Sequence, residues 1–401
     1  MNARLLFVLL LLPLMLAPLE GCRWRRGKKA PPPVQEEKDY NKTLQPGADA
    51  LREVDGSELP PLITTPATRQ QVKEAIRYSL AWLAKPASDE KYPVGDITKA
   101  QVVASLQELS RLIDTATSDD DFNSAIRTRF RVLMSVGCDD QGTVLFTGYY
   151  TPIFDGSLTE DGTYRYPLYR KPLDLVPGKG DALAQRRGAD GTLTPYPSRQ
   201  QLESSGALDG TELVYLRDPF EAYIVGVQGS GKIRLPDGSQ IEVGYDGTNN
   251  HQYHAIGMDL VNEGKITKDE LSLATLRAYF KAHPNELATY TTRNPRYVFF
   301  TRTKGGPFGS LGQRVTTNVT VATDKSIFPP GAPMLVKTRT GESASAYAAL
   351  RLDQDTGGAI RAPGRCDLYM GEGEEAERRA GSQFYEGRMY YLILRDTPGL
   401  E

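Results

Sequence analysis

Apolar residues recur at helical spacing in the first third of the chain. Val72, Ala75, Ile76, Leu80 and Leu83 predict a helix over residues 68–85, stopped at Pro86. Thr98 is placed to cap a second helix with Val102, Val103, Leu106, Leu109 and Ile113 inside, and Asp120 or Asp121 a third with Ala125, Ile126, Phe130 and Leu133. From residue 143 the period shortens to two. Residues 143–150, 222–228, 240–245, 297–300, 315–322 and 389–394 read as strands, separated by turns such as Pro177-Gly178, Pro236-Asp237-Gly238 and Pro329-Pro330-Gly331. Short helices over 256–262 and 268–282 interrupt them, the second ending at Pro284. By periodicity alone the chain is β-rich with a helical N-terminal part.

The amino terminus follows a different pattern. Arg4 precedes an apolar run over residues 5–16, too short to span a membrane as a mature helix, which fits a signal peptide. The run ends in Leu19-Glu20-Gly21-Cys22. This is similar to a bacterial lipobox, which implies lipid on Cys22, although Glu20 departs from the usual small or aliphatic residue. Lipid chains anchor a protein to a membrane without a spanning helix. Arg23 after the cysteine resembles the outer-membrane sorting pattern. Residues 23–63 read as a tether: five basic residues within 23–29, then Pro31-Pro32-Pro33 and polar turn signals.

Composition narrows the function. With 401 residues the chain can hold more than one domain, and a net charge of -2 offers no footprint for nucleic acid. Three cysteines and three histidines without ligand spacing predict neither a metal site nor a disulfide scaffold, and no cofactor is expected. Cys138 and Cys366 are expected as free thiols. The 21 tyrosines suit sheets and also sugar-stacking surfaces.

The stretch 350–369 carries the strongest candidate chemistry. Leu350 and Leu352 alternate into Asp355, Gly357-Gly358 allow a tight loop, and Asp367 is followed by Leu368-Tyr369. The pattern is strand, loop, strand, with an acid near each strand end and room for a ligand against the glycines. A carboxyl fixed on such a frame can protonate a leaving group. The same residues also fit a turn cap and a solvated charge. Sugar-binding candidates are Tyr149, Tyr150 and Thr151 at one strand end, of which one tyrosine is expected to face inward. Others are Gln228 and Ser230 in a Gly-rich turn, and Tyr245, Asn249 and Tyr253 in an amide-rich loop. The Gln228-Gly229-Ser230-Gly231 turn lacks the following Lys-Ser/Thr of a phosphate loop.

Several blocks carry a resemblance. Asp355-Thr356-Gly357-Gly358-Ala359-Ile360 with Arg365-Cys366-Asp367-Leu368-Tyr369 resembles the end of a three-aspartate (3D) domain, whose first aspartate would be Asp324. Phe146-Thr147-Gly148-Tyr149-Tyr150-Thr151-Pro152, Val227-Gln228-Gly229-Ser230-Gly231 and Asn294-Pro295-Arg296-Tyr297-Val298-Phe299-Phe300 resemble the membrane-bound lytic transglycosylase A family, in the family's order. Asn250 departs from the glycine of that family.

The resemblance implies a double-psi β-barrel interrupted by an inserted β-rich substrate-binding domain. Residues 1–22 would be the signal peptide, 23–63 the tether, 64–152 helices and first barrel strands, 153–290 the insert and 291–401 the rest of the catalytic barrel. It implies cleavage of the β-1,4 bond between N-acetylmuramic acid and N-acetylglucosamine in peptidoglycan strands, with a 1,6-anhydro product. Asp367 would be acid then base, and Asp355 and Asp324 its neighbours. The lipobox-like run and Arg23 imply an envelope lipoprotein of the outer membrane. The alternatives are a non-catalytic glycan-binding barrel and a two-carboxylate glycoside hydrolase.

Overall fold

The computed structural model describes residues 38–178, 182–340 and 343–395; the signal peptide, Cys22 and the basic part of the tether lie outside the described residues. The compact unit begins at Lys38 and its first strand at Leu51, so the expected tether ends before residue 63. Lys38 Nζ and Tyr40 Oη both donate to Glu386 Oε1, at 2.8 and 2.7 Å. Strand β1 (Leu51–Val54) pairs antiparallel with β2 (Phe130–Ser135), and Leu59 and Leu62 are buried in the main core. Isolated leucines in a polar, Pro-rich stretch have no periodicity to read; only tertiary packing buries them.

The helical preface follows its caps. Helix α1 (Pro66–Leu83) starts at Thr65 with a Thr65/Thr68 capping box, and α2 (Lys99–Thr115) at Thr98 with Gln101. Helix α3 (Asp119–Arg129) is capped by Ser118 rather than by Asp120 or Asp121. Those acids occupy its first turn, where the helix dipole favours negative charge.

Strand β3 (Val144–Thr151) leads through β4 (Ile153–Ser157) and β5 (Tyr166–Tyr169) to a small sheet of β6 (Leu175–Val176), β7 (Gln185–Arg187) and β8 (Leu193–Pro195). Helix α4 (Arg199–Ser205), β9 (Glu212–Leu216), α5 (Pro219–Gln228), β10 (Ser230–Arg234) and β11 (Gln240–Thr248) follow. Then come α6 (Ile256–Asn262), α7 (Leu273–Ala282), α8 (Leu287–Thr291) and β12 (Val298–Thr303). A six-stranded sheet has the order β12-β11-β10-β4-β9-β5.

Two expectations are corrected here. Residues 222–228, with a strand-like apolar run, lie in helix α5: Asp218 caps it, Pro219 opens it and Gly229, at φ 76°, ends it. Tyr223, Ile224 and Val225 are buried in succession, so this short helix carries an apolar run that reads like a strand. Strand β12 pairs with β11, Tyr245 opposite Phe300, so the chain returns to the sheet that holds β1, β2 and β3 only after residue 303, not from 291.

Strand β13 (Thr320–Ala322) is shorter than the expected 315–322, because Asn318 turns the chain at φ 58°. Then come β14 (Pro333–Thr340), β15 (Ser343–Asp355), β16 (Arg365–Glu372), α9 (Gly373–Gly381) and β17 (Phe384–Leu394). The eight-stranded order is β1-β2-β17-β14-β15-β13-β16-β3, and β17 pairs again with β3. That last pairing closes β3 and β13–β17 into a ring. Gln354 ties α1 to the ring, donating to Ala75 O at 2.7 Å and Ser79 Oγ at 3.0 Å. Among the described residues 31% are helical and 30% strand, a mixed architecture rather than a mainly β one. Among the described residues no helix is long and apolar enough to cross a membrane.

Candidate active site

Register across the closed sheet puts the two acids in one row. Ala322 of β13 pairs with Asp355 of β15 on one side and with Asp367 of β16 on the other; Asp367 pairs in turn with Thr147 of β3. The acids are thus two strand spacings apart, roughly 10 Å between Cα atoms, with only an alanine side chain between them. A bulge between Val321 and Ala322 sets this register. It also separates Asp355 from Asp353, a fully buried acid bonded by Thr323 Oγ1, Tyr391 Oη and Lys325 Nζ.

The two carboxyls differ in how they are satisfied. Asp355 Oδ1 accepts from Ser310 N and Thr356 N, both at 2.8 Å, and Oδ2 from Tyr149 Oη at 2.9 Å. Burial holds it above its ordinary range against the pull of these donors. Asp367 Oδ1 is enclosed and has no hydrogen-bond partner. Burial pushes its carboxyl up to about 6; the Arg365 guanidinium and the Thr147 hydroxyl oppose this, and the Asp355 charge adds to it. Arg365 does point inward, donating to Thr147 Oγ1 at 3.2 Å, and its own Nε lacks a partner.

Asp324 is engaged at both oxygens. Its Oδ1 accepts from Ser326 N and Oγ at 3.0 and 2.6 Å, and its Oδ2 accepts from Ala362 N at 3.0 Å. It clamps the loop between the two acids.

The sugar candidates divide by burial. Tyr149 is partly exposed and its ring lies 5.1 Å from that of Tyr369. Tyr150 is the tyrosine that faces inward, with its hydroxyl on Glu377 at 2.9 Å. Thr151 is buried against the Tyr369 hydroxyl at 2.9 Å. Alternation along β3 explains the first two: Thr147 and Tyr149 share the face of Asp367, and Tyr150 takes the other. Gln228, Ser230 and Tyr253 are partly exposed, and Tyr245 is 53% exposed. Gln228 Oε1 accepts from Tyr150 N at 3.2 Å. Tyr253 bonds Tyr223, and its hydroxyl lies within the field of Arg365.

Asn249 is corrected outright. It is fully buried, donating to Pro197 O at 3.0 Å and Pro295 O at 2.8 Å and accepting from Tyr297 N at 2.8 Å. Its amide pins three chain segments together, as a buried amide must. Asn250, at the family's glycine position, has φ 57°, a conformation asparagine tolerates better than other non-glycine residues. Gly231 packs on Val225, where an added Cβ would meet Cγ1 at 3.3 Å, so it serves α5 rather than a ligand. Cys138 and Cys366 are buried free thiols.

Thr147, Tyr369 and Ser310 were missed in the sequence. Counting back by two from Tyr149, and on by two from Asp367, finds the first two; nothing local marks Ser310. Two cavities lie apart from the acids. One, of about 380 Å³, is lined by Tyr169, Arg199, Tyr223 and Tyr297; the other, of about 680 Å³, lies between α7 and α9 around Arg277 and Glu377.

The family comparisons agree with this geometry. The MltA specific insert domain model matches residues 145–301, and the 3D domain model residues 319–393. The chain thus carries a 3D domain, which runs from β13 into β17 of the closed sheet. The chain is 32% identical to membrane-bound lytic murein transglycosylase A of Escherichia coli over 271 residues, 66% of this chain and 68% of the relative. It is 31% identical to the Vibrio cholerae protein of that name over 274 residues, 65% and 68% of the two chains. The crystal structure of membrane-bound lytic murein transglycosylase from Agrobacterium tumefaciens superposes with a TM-score of 0.72 at 25% identity, covering 86% of this chain and 98% of that one. The fold is also that of E. coli MltA solved with bound chitohexaose, with a TM-score of 0.68 at 24% identity, covering 90% and 97%. The chain belongs to the membrane-bound lytic murein transglycosylase A family.

Proposed function

We propose that the protein is a lytic transglycosylase that cleaves the MurNAc–GlcNAc bond of peptidoglycan and forms 1,6-anhydro-MurNAc. Asp367 protonates the leaving glycosidic oxygen, then takes the proton from the muramyl 6-hydroxyl as that oxygen closes on the anomeric carbon. The observation that carries this reading is the inequality of the two acids. A glycosidase needs a second carboxyl to attack or to activate water. Asp355, with both oxygens engaged by three donors, is poorly suited to that task, whereas one oxygen of Asp367 is unclaimed. A carboxyl near pKa 6 can donate and retrieve a proton close to neutral pH. Asp355 tunes Asp367 by its charge, and Asp324 holds the intervening loop.

The glycan lies between the two sheets against Tyr149, Gln228, Ser230, Tyr245 and Tyr253. We read the closed ring as the double-psi barrel and the second sheet, through β12, as the insert. Relatives named membrane-bound support an envelope location, with Cys22 lipidated and the outer membrane as destination. The test is mass spectrometry of digested sacculi. Muropeptides lighter by one water than hydrolytic products are expected; products that have taken up water would mean hydrolysis instead, and intact sacculi would leave only glycan binding.

A further inference from the structure

Arg296 joins the second sheet to the loop between the two acids. It leaves the segment before β12 and lays its side chain on Gly358. A Cβ at Gly358 would meet Arg296 Nε at 3.0 Å, Cζ at 3.2 Å and Cδ at 3.4 Å. The space that the sequence offers to a ligand is therefore occupied by a guanidinium, and Gly358 is glycine so that this group can lie flat on the backbone.

Arg296 is poorly compensated. Its side chain donates to His251 O at 3.3 Å, a long bond, and among the described residues no carboxylate pairs with it. The charged and titratable groups that act on it are the Tyr245 hydroxyl and the Arg361 guanidinium; Arg361 lies 3.8 Å from Asp324 Oδ1. A partly buried cation beside a second cation is unfavourable until an anion completes the site. A guanidinium fork matches a carboxylate with two parallel hydrogen bonds.

We infer that Arg296, braced on Gly358 and flanked by Arg361 and Tyr245, recognises a carboxylate borne by the muramyl residue and so distinguishes peptidoglycan strands from chitin. The inference rests on the substrate proposed above. Muramic acid differs from glucosamine by a lactyl ether ending in a carboxyl group. On peptide-free strands that carboxylate is free; on peptide-bearing strands it is an amide and the carboxylates belong to the peptide. Chitin oligomers carry neither.

The test measures binding in an Asp367→Asn parent, where the probes survive. The probes are an alternating GlcNAc–MurNAc tetrasaccharide with free lactyl groups, its lactyl amide, the peptide-bearing tetrasaccharide, and chitotetraose. Arg296→Gln should weaken the free-carboxylate probe about ten- to a hundredfold, the range of a hydrogen bond to a charged group, and leave chitotetraose unchanged. Arg296→Lys should recover part of the loss. A loss confined to the peptide-bearing probe assigns the peptide carboxylate; a loss confined to the free probe assigns the lactyl group. Gly358→Ala keeps the arginine but lifts it from its seat, and should give the same selective loss should Arg296→Gln fold poorly. An equal loss for chitotetraose, or none for any carboxylate, overturns the inference. A parent that binds none of the probes overturns the proposed substrate itself.

Discussion

Asp367→Asn should stabilise the protein at neutral pH while abolishing its proposed activity. Burial raises the Asp367 carboxyl from 3.8 to about 6 in the fold. A group raised in the folded state favours folding below its unfolded pKa, and that contribution is lost as pH rises through the folded one. Below about 3.8 both states are protonated and Asn should match Asp. Above about 6 the folded wild type holds an anion that the unfolded chain accommodates more easily. The difference corresponds to about 3 kcal/mol; partial exposure of the side chain reduces this to roughly 1–2 kcal/mol. Denaturant titrations of both proteins near pH 4 and pH 8 read the effect directly. The variant should gain stability only at the higher pH, and its turnover should fall by about 100- to 10,000-fold. No gain at either pH, or the same gain at both, would refute the claim that Asp367 is destabilised as an anion.

Further expectations follow from the same contacts. Asp355→Asn removes a negative charge that raises Asp367, so the alkaline limb of the pH–rate profile should move to lower pH with partial activity kept; abolished activity there, with Asp367→Asn active, would reverse the two roles. Asn249→Ala leaves two carbonyls and an amide without their partner, and calorimetry should find a loss of roughly 2–4 kcal/mol rather than a selective loss of glycan affinity. Cys22→Ala should move the protein from washed membranes to the soluble fraction; continued membrane association would exclude the lipid anchor.

The sequence by itself determined what depends on neighbours along the chain. Thr98 caps α2 where its spacing to a polar N3 residue allows, and the apolar stripe of α2 is its buried face. Asp355 and Asp367 stand at strand ends on either side of a turn because alternation and paired glycines are local signals. Resemblance in ordered motifs carried the family. Tertiary structure decided which acid is free. Asp355 is occupied by Ser310, 45 residues away, and by Tyr149, 206 residues away, and no local pattern announces either. It also decided that β12 joins the second sheet and that Asn249 and Thr151 are buried. Each of these turns on which surface a segment meets. A hydrogen bond or a buried face belongs to two stretches at once, and periodicity describes only one.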